Sequence, residues 1–427
     1  MRTHASILVG LLWCLALLSV VVIGVLHTSR MDSLVVKNYG DRLQAHYLAL
    51  AGVERAKALL YHDYLTRRET SKNHTGSLYD DAKDFENIKF DRGHYRISRR
   101  DETGLVYGIS DEESRLNINT ATADEITNID GMTSDIAAAI IDWRDADNEV
   151  TPGGAEAEYY AGLQPPYQPR NGPLQTVREL LLVRGIGRDL LEGNDVNNQD
   201  DDESGADGGW SAILTVDSTD KNVSADGKDR INVQTADQTT LTGIRGITTS
   251  IASSIIAYRG QKKLQTIADL LDVTAARSSS GGRSTNNTAS TQNASGGSSV
   301  ISDQLLMEIG DQVTVTSDTD LPGLININTA GLKVLSCLPG LDPTMAQAII
   351  SYRQSSGFFA NTAELLKLPG MTHDIFKQVV PLVTARSETF RISSEGKVTS
   401  TGARQRVQAI VHLGPHEAKT ISYREDL

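Results

Sequence analysis

Leu116-Asn117-Ile118-Asn119-Thr120-Ala121 returns as Ile231-Asn232-Val233-Gln234-Thr235-Ala236 and again as Ile325-Asn326-Ile327-Asn328-Thr329-Ala330. Gly131, Gly246 and Gly340 each stand 14 residues beyond the first asparagine of their copy. Arg144, Arg259 and Arg353, each preceded by Trp or Tyr, each stand 27 residues beyond it. Spacing kept this constant across three copies marks an internal repeat. Within each copy the pattern predicts a short extended opening, a threonine capping a first helix, a tight glycine turn and a second helix. The second helix takes its apolar face from Ile136, Ala137, Ile140 and Ile141, matched by Ile251, Ala252, Ile255 and Ile256.

A second half-motif follows each copy: Thr176-Val177-Arg178-Glu179-Leu180-Leu181, Thr266-Ile267-Ala268-Asp269-Leu270-Leu271 and Thr362-Ala363-Glu364-Leu365-Leu366. The first and third continue into Val183-Arg184-Gly185-Ile186 and Leu368-Pro369-Gly370-Met371. These paired hairpins resemble helix-hairpin-helix units, and the third copy resembles the module of membrane-anchored competence DNA receptors. Such modules offer the N–H groups of a G-x-G turn to a phosphate at a helix N-terminus. The turns here, at Gly131, Gly246 and Gly340, each lack the second glycine. Asp124, Glu125, Asp130, Asp135 and Asp142 surround the first hairpin, whereas Lys262, Lys263 and Lys377 leave the other two near neutral. With a net charge of −13 over 427 residues, electrostatics weigh against nucleic acid as a partner.

Outward from the repeats, β-like stretches lie on both sides. Gly93 to Arg99 and Leu105 to Ile109 precede them across the turn Asp101-Glu102-Thr103-Gly104; Phe390 to Ser393 and Arg406 to Leu413 follow, separated at Gly396. Strands flanking a helical block predict one antiparallel sheet interrupted by an insertion. Residues 277–302, rich in Ser, Gly, Thr and Asn, read as a flexible loop.

At the N-terminus, Ile7 to Leu26 (ILVGLLWCLALLSVVVIGVL) carries no charge over 20 residues, enough to span a hydrocarbon core of ~30 Å. A cleaved secretory signal has a shorter apolar run, of ~7–15 residues, followed by a small-residue site that is missing here. Helical spacing continues to Arg68 through Leu34, Val35, Leu43, Tyr47, Leu50, Val53 and Leu59, so one helix over about residues 6–68 is expected, half of it in a membrane. Cys14 and Cys337 lie far apart and imply neither a disulfide framework nor a zinc site.

Ala5 to Leu60, with LLWCLALLS, Asp41-Arg42, Tyr47-Leu48-Ala49 and Ala51-Gly52-Val53-Glu54-Arg55-Ala56, resembles the N-terminus of K-type minor pseudopilins of type II secretion systems. The resemblance implies an α+β pseudopilin fold: a long N-terminal helix packed on an antiparallel sheet, with a large all-α insertion of helix-hairpin-helix or SAM-like repeats. It divides the chain into a short leader (1–5), a transmembrane helix (6–28), the pilin helix and first strands (29–115), the helical insertion (116–388) and C-terminal strands (389–427). Within the insertion the repeats take 116–195, 231–275 and 325–385. The family's leader is cut by a prepilin peptidase after Gly; here Ala5 stands at that place and Ser6 becomes the first mature residue. Gly10 occupies the position where major pseudopilins carry Glu, as in subunits that sit at a pseudopilus tip. The implied role is structural, in protein secretion across the outer membrane. The implied partners are the I- and J-type minor pseudopilins and the secretion platform in the bacterial inner membrane. The implied topology is a single pass, with the N-terminus cytoplasmic and the bulk periplasmic. A competence-type DNA receptor is the alternative reading.

Asp142-Trp143-Arg144-Asp145-Ala146-Asp147-Asn148-Glu149 and then Pro152 to Tyr160 match the K-type signature closely. In that family the region coordinates calcium, which takes six to eight hard oxygen ligands. By position the ligands are expected at Asp145, Asp147, Glu149 and Glu156, with Glu158 in reserve. Asp195 to Glu203 starts like an EF-hand loop but has Asp200 at the glycine position and Ala206 at the bidentate position, which favours a solvated acidic run. No H-E-x-x-H, G-x-S-x-G or G-x-x-x-x-G-K-[ST] motif occurs, so no catalytic role is expected.

Overall fold

The computed structural model describes residues 3–70, 79–101, 104–193, 209–275 and 299–425. Its first element is a helix over Thr3–Thr70, 68 residues and roughly 100 Å long at 1.5 Å per residue. Ala5 and Ser6 fall in its first two turns, and Gly10 in the third. The helix is long and apolar enough to cross a membrane, and from Val9 to Leu26 its large apolar side chains lie exposed. Exposure continues through Leu34, Val35, Leu43 and Tyr47, four residues of the expected apolar pattern. Burial begins at Ala45 and then keeps to one stripe: Leu48, Ala49, Val53, Ala56, Leu60 and Tyr64. Spacings of three and four residues put these on one face, and that face lies on the sheet.

The sheet runs in the order Ile88–Phe90, Gly93–Asp101, Thr389–Val398, Arg404–Leu413, Ala418–Glu425, every neighbour antiparallel. Gly104–Tyr107 also pairs with Gly93–Asp101, and Ser110–Asp111 with Thr389–Val398. The central pair, Ile97 opposite Ser394 and Tyr95 opposite Gly396, therefore joins strands from either side of the helical block. Ile97, Phe390, Ile392, Val407, Ala409 and Val411 form the layer under the helix. This is the α+β architecture expected, a long helix on an antiparallel sheet with a helical insertion.

Two expectations about the sheet need correction. Gly396 does not separate two strands; it sits within Thr389–Val398, and the hairpin turns instead over residues 399–403. A Cβ at Gly396 would strike the backbone of Ala45 and Ala49, so the glycine answers the close approach of helix and strand. The edge strand Ala418–Glu425 was not expected, because Lys419, Arg424 and Glu425 dilute its apolar alternation; charge of that kind is how edge strands are kept from pairing further.

Each repeat is a closed arch. Leu116–Asn117 pairs in parallel with Leu214–Thr215, Ile231–Asn232 with Val313–Thr314, and Ile325–Asn326 with Val383–Thr384. The first asparagine of each copy turns its Oδ1 to the backbone N–H two residues on (Asn119, Gln234 and Asn328; 2.9–3.0 Å). The next polar residue reaches across the arch, its side-chain oxygen accepting from Leu174 N (2.7 Å), Leu264 N (2.9 Å) or Phe359 N (2.9 Å). The arginine of each copy then donates to the carbonyl between them: Arg144 to Ile118, Arg259 to Val233 (2.7 Å) and Arg353 to Ile327 (2.9 Å). The repeated letters thus hold a repeated hydrogen-bond frame.

A threonine caps the first helix in the first copy alone, and it is not the motif threonine. Thr122, Asp237 and Gly331, two residues after each motif threonine, hold the N-cap positions instead. The second copy also runs beyond 275: helix Asp303–Ile309 and the closing strand Val313–Thr314 complete it. Most of the expected loop 277–302, as far as 298, lies outside the described residues, within this arch.

Gly396→Ala is expected to cost about 1–3 kcal/mol by overpacking, read as a lower midpoint with an unchanged slope in urea unfolding of the full chain in detergent. Gly40→Ala, where the added Cβ meets nothing within 4 Å, should instead stabilise by up to about 1 kcal/mol. Equal effects at the two positions would remove the close-approach explanation.

Candidate metal centre

In the first repeat, helix Ser134–Arg144 starts at Thr133, whose side-chain oxygen accepts from Ile136 N, and ends at Asp145. Asp142 and Asp145 are three apart and so share a face at its last turn. Asp142 is fully buried, and Thr151 N donates to both of its oxygens (3.1 and 3.3 Å). The chain doubles back through Gly153 and Gly154. Gly153 adopts a φ of +88°, and a Cβ on Gly154 would occupy the place of Asp142 Oδ2. The returning loop delivers Glu156, 3% exposed, to the N-cap of the short helix Ala157–Ala161.

Ligand oxygens of Asp142, Asp145 and Glu156 all lie within 4.8 Å of one another. Asp145 Oδ1 and both oxygens of Glu156 are buried with no hydrogen bond of good geometry. Burial raises the Glu156 pKa, and Asp142 and Asp145 raise it further; the Ala157 N–H offsets this only in part. Burial likewise raises that of Asp145, with Asp147 and Asp142 adding to it, against the Arg144 guanidinium. Three converging carboxylates, two of them with orphaned oxygens, fit a hard divalent cation, which would supply the missing partners of Asp145 and Glu156.

The surroundings are firmly held. Trp143 packs edge-on against Tyr160 (5.1 Å between centroids) and donates its indole N–H to Glu179 (3.0 Å). Arg184, from the second hairpin, donates to Gly154 O (2.9 Å). Of the residues expected as ligands, Asp145 and Glu156 come together with Asp142, which sequence reading had placed in the acidic stretch but not among the ligands. Asp147 and Glu149 are exposed and outside the group; Asp147 Oδ1 instead accepts from Glu149 N (2.8 Å). Glu158 is exposed on the short helix. The second acidic segment, 195–206, lies outside the described residues.

Two of the three hairpin lysines are engaged: Lys377 Nζ is 2.6 Å from Asp272 Oδ2, and Lys262 Nζ 3.9 Å from the same atom. The glycine turns themselves keep positive φ, at Gly131, Gly246 and Gly340.

Residues 114–193, which hold the three carboxylates, match the family described as type II secretion system protein K. Residues 323–384, the third repeat, match the helix-hairpin-helix motif. Type II secretion system protein K of Pectobacterium carotovorum subsp. carotovorum is 46% identical over 55 residues, 13% of this chain and 17% of that protein. ComE operon protein 1 of Bacillus subtilis is 31% identical over 84 residues, 20% of this chain and 41% of that protein. An endonuclease/exonuclease/phosphatase family domain-containing protein 1 of Mus musculus is 29% identical over 188 residues, 41% of this chain and 31% of that protein. The chain thus spans less than half the length of each of these relatives. Among solved structures, a crystal structure of the GspK-GspI-GspJ complex from enterotoxigenic Escherichia coli aligns with a TM-score of 0.44 and 12% identity, covering 94% of this chain and 99% of that one.

Raised carboxyl pKa values have a definite consequence for stability. The folded chain holds protons that the unfolded chain releases at ordinary carboxylate values, so in chelator the site's contribution falls as pH rises through the raised values. Asp145→Asn is expected to flatten that part of the curve of unfolding midpoint against pH, the wild-type curve serving as reference. Superimposable curves would mean that the three carboxylates do not repel as placed.

Proposed function

We propose that this chain, which carries a type II secretion protein K domain over residues 114–193, is a minor pseudopilin that caps the tip of a secretion pseudopilus. The observation that carries the reading is the setting of that domain. It is inserted between strands of one sheet, and the sheet is packed on the end of a 68-residue helix whose other end is apolar and exposed. A helix with this division suits a subunit anchored in the inner membrane, N-terminus inward, that presents its folded part to the periplasm. Cleavage after Ala5 would leave Ser6 as the first residue. Gly10 puts no carboxylate into the apolar span, which suits a subunit with no protomer stacked above it, since a lone carboxylate in lipid is costly. Partners of this role are the I- and J-type minor pseudopilins and the secretion platform. The role is assembly, with no reaction catalysed.

Calcium is the cation that fits the first repeat. Asp142, Asp145 and Glu156 would hold it, and its charge would offset three converging carboxylates and pin the loop 146–155 to the helix that precedes it. The chemistry is structural: hard oxygen coordination in a site with no redox demand.

The DNA-receptor reading draws on the match of the third repeat to the helix-hairpin-helix motif. Against it stand the net charge of −13 and the pairing of Lys377 and Lys262 with Asp272.

Two measurements test these readings. The full chain in detergent is expected to co-purify with I- and J-type partners and to show no salt-sensitive retention on duplex DNA; tight DNA binding with a steep salt slope and no partner complex would reverse the assignment. Calcium at 100 times its Kd should stabilise the chain by about 2.7 kcal/mol over chelator. Glu156→Gln should lose most of that gain yet unfold no lower than wild type in chelator, because it removes an unpaired buried charge. Equal calcium gains in both chains would refute the ligand set.

A further inference from the structure

The chain leaves the sheet at 111–116 and returns to it at 384–389, and both crossings meet in one buried polar joint. Asp111 Oδ2 accepts from Ser387 Oγ (2.6 Å) and from the Thr329 hydroxyl, and Asp111 Oδ1 from Glu113 N (2.9 Å). Glu113, with no exposed surface, accepts from Thr389 N (3.2 Å) on the returning strand and from Thr219 N (3.3 Å) at the end of the first arch. The two carboxyl groups also lie close enough to act on each other, Asp111 raising Glu113. A carboxylate only accepts, so a hydrogen bond between the two requires a proton on one of the pair.

The charged groups around the pair leave little to balance it. From 217–221 comes Asp220, 3% exposed, whose Oδ2 accepts from Thr384 Oγ1 (2.7 Å), with Asp217 and Lys221 beside it. From the returning segment comes Glu388, 4% exposed, with Oε2 lacking a hydrogen bond and His412 Nε2 of the neighbouring strand 4.0 Å away. Cations are present, several of them paired with other carboxylates, and Arg115 acts on Asp111. Arg386 is 2.6 Å from Asp311, and Arg230 is 3.9 Å from it. Arg391 pairs with Glu112 (2.8 Å), and Arg115 donates to Ser211 O. The long helix contributes Asp63, Tyr64 and Arg67, the last donating to Ser387 O (3.3 Å), and Tyr79 donates to Asp63.

We propose that Asp111 and Glu113 hold one proton between them, and that this proton latches the helical insertion to the sheet, making the attachment respond to pH. Protonated, the pair is neutral enough by one charge to stay buried while its oxygens tie together the outgoing chain, the first arch and the returning strand. Ionised, two negative charges face each other beside Asp220, and the Arg115 guanidinium offsets Asp111 only in part. Burial is the largest influence raising Glu113, followed by Asp111 and Asp220, and burial also raises Asp111 and Glu388, the latter to about 7. A raised carboxyl loses its stabilising contribution as pH rises through its folded value. His412, lowered by burial, acts with the opposite sign.

The test is amide hydrogen exchange of the full chain in detergent micelles from acid to alkaline pH, corrected for the intrinsic rate. Protection at Thr219 and Thr389 is expected to fall by up to about tenfold per pH unit once the proton leaves. Amides of the hairpin Arg404–Leu413 and of helix Pro343–Ser356 should hold over the same range. Flat protection at Thr219 and Thr389, or a fall shared equally by those controls, overturns the latch. Glu113→Gln, whose amide donates to Asp111 without a titrating proton, should abolish the local pH dependence and keep the acid-side protection. A pH dependence that survives Glu113→Gln and vanishes in Glu388→Gln would place the switch at Glu388 and also overturn it.

Discussion

The structure depends on one strand pairing, that of Gly93–Asp101 with Thr389–Val398. Arg96 and Glu395, which face each other in it at 3.3 Å, are 299 residues apart. Were the intervening chain a flexible loop, closing it would carry an entropic cost growing by about 0.6 kcal/mol for each doubling of length. The intervening chain is instead three closed arches, the first opened by Leu116 and the last closed by Thr384. Asn326 N donates to Glu113 O (2.7 Å), so the third arch is fastened to the point where the first begins. Most of the closure is therefore achieved by local folding, and the sheet has only to join two ends already brought together.

That pairing also explains the composition of the helix face above it. Ala45, Ala49, Gly52 and Ala56 are small, and Gly396 answers from the strand. A seam of this kind trades side-chain area for proximity: it buries less apolar surface per residue than a leucine face but lets dispersion act over a close, continuous contact. The larger residues, Leu48, Val53, Leu60 and Tyr64, flank it and carry most of the apolar burial. Below Ala45 the same helix has no such partner among the described residues, so its exposed Leu34, Val35 and Tyr39 lie outside the sheet's reach.

The sequence was most informative where hydrogen-bond geometry demands particular residues at fixed separations. Asn117, Asn232 and Asn326 recur because an amide is needed to bridge the opening strand, and the arginine 27 residues on recurs because a guanidinium must reach the carbonyl of the next turn. The closing strands were invisible. Leu214–Thr215, Val313–Thr314 and Val383–Thr384 are two residues each, too short for a periodicity to register. The caps stand two residues beyond the motif threonine, at Thr122, Asp237 and Gly331, and no one residue type marks that position across the three copies. At the candidate metal centre, position along an acidic run suggested Asp145, Asp147, Glu149 and Glu156. What groups the oxygens in space is the helix turn linking Asp142 to Asp145, together with the return of the chain through Gly153 and Gly154. The i, i+3 relation of Asp142 to Asp145 was a usable signal; the fold of the return loop was not.

Two groups of carboxylates in this chain solve the same problem of burial differently. At Asp145 and Glu156 the inward oxygens have almost no donors, and Gly154, without a side chain, lets the Asp142 carboxylate lie against the returning backbone. At Asp111 and Glu113 the oxygens are surrounded by donors: Ser387, Thr329, Thr219 and Thr389. A cation needs oxygens free to coordinate, whereas a shared proton needs oxygens already fixed by other hydrogen bonds, so that only one position is left for it. The count of donors, more than the count of acids, therefore separates the two sites. The first lies within one repeat and can stiffen only that repeat. The second joins three segments distant in sequence, so a change of one proton there acts on the connection between the two halves of the fold.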